Sequence, residues 1–147
     1  MNVALIIAGG SGKRSGQEVP KQFLTVNEKP IIIYTLEAFQ KHPDIGRIVV
    51  VVIDGWQAVV ESYARQFGIS KLAGVITGGA DRFNSMYNGI KYLKDCCQPE
   101  DIVLCHDANR PLVDPNIIDG AIEACRANGN ALPAMKTFNS IYESAFC

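Results

Sequence analysis

Hydrophobic runs and amphipathic segments alternate regularly along this chain. Four runs are rich in branched aliphatic residues and are predicted as strands: Val3–Ile7, Arg47–Ile53, Gly74–Thr77 and Asp101–Cys105. Because these runs are apolar at consecutive positions rather than at alternate ones, they are typical of parallel strands covered on both faces. A fifth short strand is predicted at Ala131–Met135.

The segments between these strands carry apolar residues at i, i+3, i+4 and i+7, which is the spacing of one helix face. Four helices are therefore predicted, within Ile32–Phe39, Trp56–Phe67, Phe83–Leu93 and Pro115–Cys125. Asp81 and Asp114 are the predicted N-caps of the last two. The third helix is predicted from the spacing of Phe83, Met86, Tyr87, Ile90 and Leu93. The alternation predicts one doubly wound α/β domain over residues 1–147, with a mainly parallel sheet and helices on both faces.

Composition excludes several classes of protein. A chain of 147 residues with 48% hydrophobic and 20% charged residues can bury one core, and its net charge of −1 gives no basic excess that would favour nucleic acid. No apolar run approaches the roughly 18 residues of a membrane span, and the first residues lack a signal-peptide pattern. We therefore expect a cytoplasmic protein without a nucleic-acid or membrane partner.

Five cysteines are present, an odd number without a C-x-x-C pair. This pattern argues against both a disulfide framework and a zinc site, so the cysteines are predicted to be reduced thiols. Cys105 and Cys125 fall on apolar faces and are predicted to be small core residues.

The first strand leads into a glycine-rich loop, Ala8–Gly16, which has four glycines in eight residues. Glycines allow the backbone to approach a ligand closely, and successive N–H groups can then point at anionic oxygens. Lys13, Arg14 and Lys21 add positive charge, and Glu18 is the only carboxylate nearby. The loop therefore favours a polyphosphate ligand; the alternative is a solvated glycine turn.

Two further polar segments follow predicted strands, Gly78–Ser85 and His106–Pro111. Right-handed crossovers between parallel strands bring all such strand ends to one edge of the sheet. We therefore expect these segments and Gly9–Lys21 to line a single crevice at the carboxyl ends of the strands, where α/β sheets bind ligands.

Two common nucleotide motifs do not fit the first loop. A Walker A motif would need glycine where Ile7 stands, and serine or threonine where Arg14 stands. The dinucleotide fingerprint G-x-G-x-x-G matches at Gly10 and Gly12 but meets Ser15 at its third glycine. Dinucleotide binding stays as a remote alternative.

Four motifs in order resemble another family. They are Ala8-Gly9-Gly10-x-Gly12-x-Arg14, Pro20-Lys21-Gln22, Gly78-Gly79-x-x-Arg82-x-x-Ser85 and His106-Asp107-Ala108-x-Arg110-Pro111. The chain resembles the CTP-dependent cytidylyltransferases of sugar-alcohol phosphates from Val3 to about Thr137. Both the 2-C-methyl-D-erythritol 4-phosphate and the ribitol-5-phosphate branches are similar, and Lys21–Leu24 and Trp56 favour the ribitol branch. The resemblance implies a Rossmann-like nucleotidyltransferase fold.

The resemblance also implies a reaction and its catalytic residues. In this family the phosphate of a polyol phosphate attacks the α-phosphorus of CTP, and pyrophosphate leaves. By resemblance, Arg14 and Lys21 bind the triphosphate and stabilise the transition state. The nucleotide-binding backbone would come from Ala8, Gly9, Gly10 and Gly12.

The other site residues are likewise implied by the resemblance. Gly79, Arg82 and Ser85 would line the cytosine pocket. Asp107 would be a ligand of Mg²⁺ and, with Thr137, would contact the polyol phosphate. An alternative role for Asp107 is to pair with Arg110 and brace the loop.

Two positions and the length depart from the family pattern. Ala80 stands where the methylerythritol branch usually carries an acidic residue, and Lys136 replaces the aspartate that generally precedes the threonine. Family members are usually homodimers and continue beyond this length, with a dimerisation arm and a last segment that adds a second metal-binding aspartate and a substrate-binding lysine. We therefore expect a nucleotidyltransferase domain without that C-terminal segment. The alternatives are an active cytidylyltransferase and a nucleotide-binding domain with little or no catalysis.

Overall fold

A computed structural model describes residues 1–10 and 19–134. Three predicted site residues, Gly12, Arg14 and Thr137, lie outside the described residues.

Four parallel strands form the main sheet: β1 (Asn2–Ala8), β4 (Ile45–Val52), β5 (Leu72–Thr77) and β6 (Ile102–Asp107). Their order in the sheet is β5-β4-β1-β6, so the chain moves outward from β1 in one direction and then crosses to its other side. A short antiparallel pair, β2 (Thr25–Val26) and β3 (Lys29–Pro30), lies between β1 and the first helix. The four predicted strands are confirmed, and the last continues through His106 and Asp107.

Helices cover both faces of the sheet, as predicted. They are α1 (Ile31–Lys41), α2 (Gln57–Gln66), α3 (Arg82–Lys94) and α4 (Pro115–Asn128). The larger core lies where α1, α2 and α4 pack against side chains such as Ile6 and Val50. The smaller core lies under α3, where Leu93 packs with Leu5 and Val51. Both sides of the central strands are therefore buried, which explains their unbroken apolar runs.

The helix α3 is confirmed, but the apolar stripe that predicts it is buried only in part. Leu93 is buried, but Phe83, Tyr87 and Ile90 are 70%, 58% and 50% exposed. The helix instead turns Ser85, Gly89 and Leu93 toward the sheet. Small residues at the first two of these positions allow α3 to approach the sheet closely, and this close packing rather than the apolar stripe sets its orientation.

The predicted fifth strand and one cysteine assignment also differ. Ala131 to Ala134 are irregular and exposed, while Met135 lies outside the described residues. Pro133 has no N–H to donate, which disfavours its pairing in a strand ladder. Cys105 is exposed rather than part of the core, because it lies on β6 at the edge of the described sheet.

Candidate functional site

The first two polar segments meet at the carboxyl ends of β1 and β4. A Cβ atom added to Gly9 would lie only 2.6 Å from the Ser85 hydroxyl oxygen, so no larger residue fits here without movement of Ser85. The N–H of Gly78 donates to the carbonyl oxygen of Val52 at 2.7 Å, which fixes the second segment to the end of β4. The predicted convergence of these two segments is therefore present in the fold.

Ser85 is buried at this junction, with 1% of its surface exposed. Its hydroxyl donates to the carbonyl oxygen of Asp81 at 2.8 Å and accepts the N–H of Gly79 at 3.0 Å. The side chain of Asp81 accepts the N–H of Asn84 at 2.7 Å, which confirms the predicted N-cap of α3. These bonds hold Gly79 against the first turn of α3. The direct contact of Ser85 with a base stays a prediction.

The third segment joins the second through Asp107. One carboxylate oxygen of Asp107 accepts from Arg82 Nη2 at 3.1 Å, and the other accepts from Arg110 Nε at 3.0 Å. Burial alone would raise the pKa of this carboxyl, but hydrogen bonds from Arg82 and Arg110, together with their charges, hold it below its ordinary value. Asp107 is therefore ionised and lies between two cations, and the pairing with Arg110 is present.

The loop that carries Arg110 is also held by His106. The Nε2 atom of His106 lies 2.9 Å from the carbonyl oxygen of Arg110, and the imidazole packs at a tilt against Phe39 of α1. Thr35 of α1 donates its hydroxyl to the carbonyl oxygen of Ala108 at 2.7 Å. Sequence reasoning gave Thr35 no role beyond its place on the helix face, although a threonine in that apolar stripe is a signal that its hydroxyl needs a buried acceptor.

Lys21 begins a 3-10 turn, Lys21–Phe23, beside the first loop. Lys21 is exposed, whereas Gln22 and Phe23 are buried. The ring of Phe23 stacks on Trp56 with centroids 4.2 Å apart. Trp56 is half-buried and packs against the larger core, as predicted from the stripe of α2.

The structure thus brings together Gly9, Gly79, Ser85, Arg82 and Asp107 through direct contacts. Ala8 and Gly10 adjoin them at the end of β1. Sequence reasoning missed the part played by Gln22, whose amide bonds to the carbonyl oxygens of Ala8 and Gly10. The signal in the sequence was the glutamine itself, a long polar side chain between a lysine and a phenylalanine in a motif that favoured phosphate binding.

The described residues offer few donors for a metal ion. Within residues 1–10 and 19–134, no group of three or more His, Cys, Asp or Glu side chains is placed to hold a metal ion. Asp107 offers a carboxylate at the crevice, and its oxygens already accept from two arginines. One carboxylate is compatible with Mg²⁺ only where nucleotide phosphates and water supply most of the ligands.

Among the described residues, no helix is both long and apolar enough to cross a membrane.

The parallel sheet, its helices on both faces and the glycine loop after its first strand define a Rossmann-like α/β nucleotidyltransferase fold. The chain belongs to the family described as 2-C-methyl-D-erythritol 4-phosphate cytidylyltransferase, whose model matches residues 2–145. The predicted family resemblance is therefore confirmed.

Curated relatives come from both branches of this family. A ribitol-5-phosphate cytidylyltransferase of Lacticaseibacillus paracasei is 46% identical over 142 residues, which are 97% of this chain and 61% of the relative. A 2-C-methyl-D-erythritol 4-phosphate cytidylyltransferase of Clostridium perfringens is 42% identical over 143 residues, covering 95% of this chain and 60% of the relative. The chain thus spans about three-fifths of the length of these relatives.

Solved structures agree with the fold. A 2-C-methyl-D-erythritol 4-phosphate cytidylyltransferase of Francisella tularensis matches with a TM-score of 0.68 and 29% identity, over 86% of this chain and 52% of that one. A 4-diphosphocytidyl-2C-methyl-D-erythritol synthase of Anaerococcus prevotii matches with a TM-score of 0.69 over 86% of this chain and 51% of that one. At 22% identity, the second match supports the fold alone.

Proposed function

We propose that this chain forms the CTP-binding part of a cytidylyltransferase that transfers CMP from CTP to a sugar-alcohol phosphate and releases pyrophosphate. The observation that carries the proposal is the meeting of Gly9, the Gly78–Ser85 segment and Asp107 at one edge of a parallel sheet. That edge is where α/β folds bind nucleotides. Family membership narrows the nucleotide to CTP.

The proposed reaction needs no nucleophile from the protein. A phosphate oxygen of the acceptor attacks the α-phosphorus of CTP, and the bond from that phosphorus to the bridging oxygen breaks. The electron pair leaves with pyrophosphate. Because the attacking oxygen is anionic at neutral pH, catalysis consists of positioning the two phosphates and neutralising charge on the reacting phosphorus.

We assign that neutralisation to Arg14 and Lys21. Backbone N–H groups of Gly9, Gly10 and Gly12 would hold phosphate oxygens, since glycines permit such a close approach. The assignment of Lys21 is supported by its exposed position and by its neighbour Gln22, which bonds to the carbonyl oxygens of Ala8 and Gly10 in the glycine loop.

Cytosine is proposed to bind beside Gly79, Arg82 and Ser85. Because the Ser85 hydroxyl donates to Asp81, its single hydrogen is not available to a base in this arrangement. Its contribution is then to shape the turn at Gly79, unless nucleotide binding redirects the hydroxyl. Arg82 is 65% exposed at its side chain and could turn from Asp107 toward the base or the phosphates.

Asp107 would hold Mg²⁺ together with the nucleotide phosphates, and with Thr137 would contact the acceptor. Bound magnesium supplies additional positive charge at the reacting phosphates. The two arginines would have to yield at least one carboxylate oxygen of Asp107 for a metal to bind there.

Ribitol 5-phosphate and 2-C-methyl-D-erythritol 4-phosphate are the two proposed acceptors, and relatives of both names match this chain. A second candidate function is CTP binding with little turnover.

Calorimetric titration with CTP and magnesium tests the first step, and a pyrophosphate-release assay with each acceptor tests the second. We expect CTP to bind and pyrophosphate to appear with one acceptor. Binding without turnover would support the second candidate. Binding of NAD in place of CTP would contradict both and favour a dinucleotide-binding domain.

A further inference from the structure

The side chain of Gln22 connects two parts of the candidate site. Its Nε2 atom donates to the carbonyl oxygen of Ala8 at 2.7 Å and to that of Gly10 at 3.1 Å. Both amide hydrogens are used in this way, and only 5% of the residue is exposed. The amide of Gln22 therefore faces the backbone of Ala8 and Gly10 rather than solvent.

The two carbonyl groups that accept from Gln22 lie where the chain leaves the end of β1. Ala8 is the last residue of β1 and is itself buried, while Gly10 is the last described residue before Ser11. The bond to Ala8 is buried, so the loss of this donor is costly, whereas the bond to the exposed Gly10 is only partly buried. Together the two bonds restrain the backbone of Ala8–Gly10.

The turn that carries Gln22, Lys21–Phe23, is held by contacts with the core. The N–H of Phe23 donates to the carbonyl oxygen of Pro20 at 2.9 Å and closes the turn. The buried ring of Phe23 stacks on Trp56, and the carbonyl oxygen of Leu24 accepts the N–H of Ile31 at the start of α1. Gln22 thus belongs to a turn anchored to the core, and Lys21 is the residue directly before it.

We propose that Gln22 is a positioning residue that sets the distance between Lys21 and the backbone of Ala8–Gly10, so that both reach the same triphosphate. The inference rests on the proposed function. Gln22 is not assigned a contact with the nucleotide, because its amide hydrogens are donated within the chain.

Two substitutions isolate this effect. Gln22→Met keeps the length of the side chain and removes both donors, whereas Gln22→Glu keeps length and polarity but faces the two carbonyl oxygens with a carboxylate. Gln40→Met is the matched control. Gln40 also makes two hydrogen bonds, to Ser70 and from the N–H of Lys71, but it lies on α1 away from the crevice.

The readout is the ratio of the dissociation constants of CTP and CMP, measured by calorimetry with magnesium. CMP lacks the β- and γ-phosphates that Lys21 and the loop would share. We expect both Gln22 variants to weaken the binding of CTP about tenfold and the binding of CMP less than about twofold. Gln40→Met should leave the ratio of the two dissociation constants unchanged. A purely structural defect would weaken both nucleotides or lower the fraction of binding-competent protein.

The outcomes separate the two proposals. If the unsubstituted chain binds CTP and the Gln22 variants keep its CTP-to-CMP ratio, the positioning role is wrong and the proposed function stands. If the unsubstituted chain does not bind CTP, the proposed function fails and the inference fails with it. Should Gln22→Met not fold, the ratio for Gln22→Glu decides.

Discussion

At the scale of single residues, Asp107 is a charge of the candidate site that is held from two sides. Arg82 and Arg110 each donate to one of its oxygens, and their side chains are 65% and 73% exposed. Solvent screens such pairs, so we assign the network only about 0.5–1 kcal/mol of stability. Its main effect is to hold two segments of the crevice together.

The lowered pKa of Asp107 predicts a pH dependence of the free energy of unfolding. A carboxyl whose folded pKa is depressed stabilises the protein above its unfolded pKa of about 3.9, and this contribution is lost as pH falls through the folded value. Asp107→Asn should therefore lower stability at pH 7 by about 0.5–1 kcal/mol and match the unsubstituted chain near pH 2. Urea unfolding at both pH values measures this. A difference that does not change with pH would contradict the assignment.

Substitution of Lys21 is predicted to reduce the rate of turnover. Lys21→Ala should cost about 3–4 kcal/mol of transition-state stabilisation, because a preorganised cation acts mainly on developing charge. We expect this loss to lower kcat by a much larger factor than it raises the KM for CTP. The pyrophosphate-release assay measures both constants. Lys29→Ala is the matched control, since Lys29 pairs with Glu37 outside the crevice. Near-normal turnover of the Lys21 variant would exclude its assigned role.

At the scale of elements, α3 carries the second polar segment and packs very closely on the sheet. A Cβ atom added to Gly89 would lie 2.8 Å from Leu5 Cδ1 and 3.0 Å from Val51 Cγ2, both in the smaller core. The close approach also places the N-terminus of α3 against Gly9. A glycine that is unfavourable for helix propensity is thus explained by packing.

Two helix glycines give a matched test of this explanation. Gly89→Ala should lower the free energy of unfolding by about 1–3 kcal/mol through overpacking, despite the better helix propensity of alanine. Gly120→Ala in α4 should raise it by about 0.5–1 kcal/mol, because an added Cβ atom there has no tertiary neighbour within 4 Å among the described residues. Thermal or urea unfolding measures both. Stabilisation by both substitutions would refute the close packing of α3.

Some features of the helices can be predicted from the sequence, and others cannot. The N-caps of α3 and α4 follow from local chemistry, because an aspartate before a helix can accept the N–H groups of its first turn. The orientation of α3 does not, because Phe83, Tyr87 and Ile90 form an apolar stripe that is exposed. Periodicity predicts that a segment is helical, but the shape of the sheet decides which side of the helix it accepts.

At the scale of the whole molecule, contacts between distant parts of the chain support the crevice. Thr35 of α1 and Ala108, which follows β6, are 73 residues apart and joined by a buried hydrogen bond of 2.7 Å. The bond fixes the backbone directly after Asp107. The third segment is thus held by α1 as well as by the sheet.

Thr35→Val tests this long-range support. The substitution keeps the shape of the side chain but removes the donor, leaving the buried carbonyl of Ala108 without this partner. We expect the free energy of unfolding to fall by about 1–3 kcal/mol. Thr25→Val, at an exposed position in β2, should change it by less than about 0.5 kcal/mol. Equal effects of the two substitutions would show that the hydrogen bond of Thr35 contributes little.

Local patterns in the sequence are enough to predict the parallel α/β fold, the family and the three segments of the crevice. Aliphatic runs, helix spacing and capping residues act locally, and parallel topology then brings the strand ends to one edge. The folded chain was needed to see that Asp107 lies between Arg82 and Arg110, that the Ser85 hydroxyl is used within its own turn, and that Gln22 bonds to Ala8 and Gly10. Hydrogen bonds need atoms within about 3 Å of each other, and the packing of distant segments sets those distances.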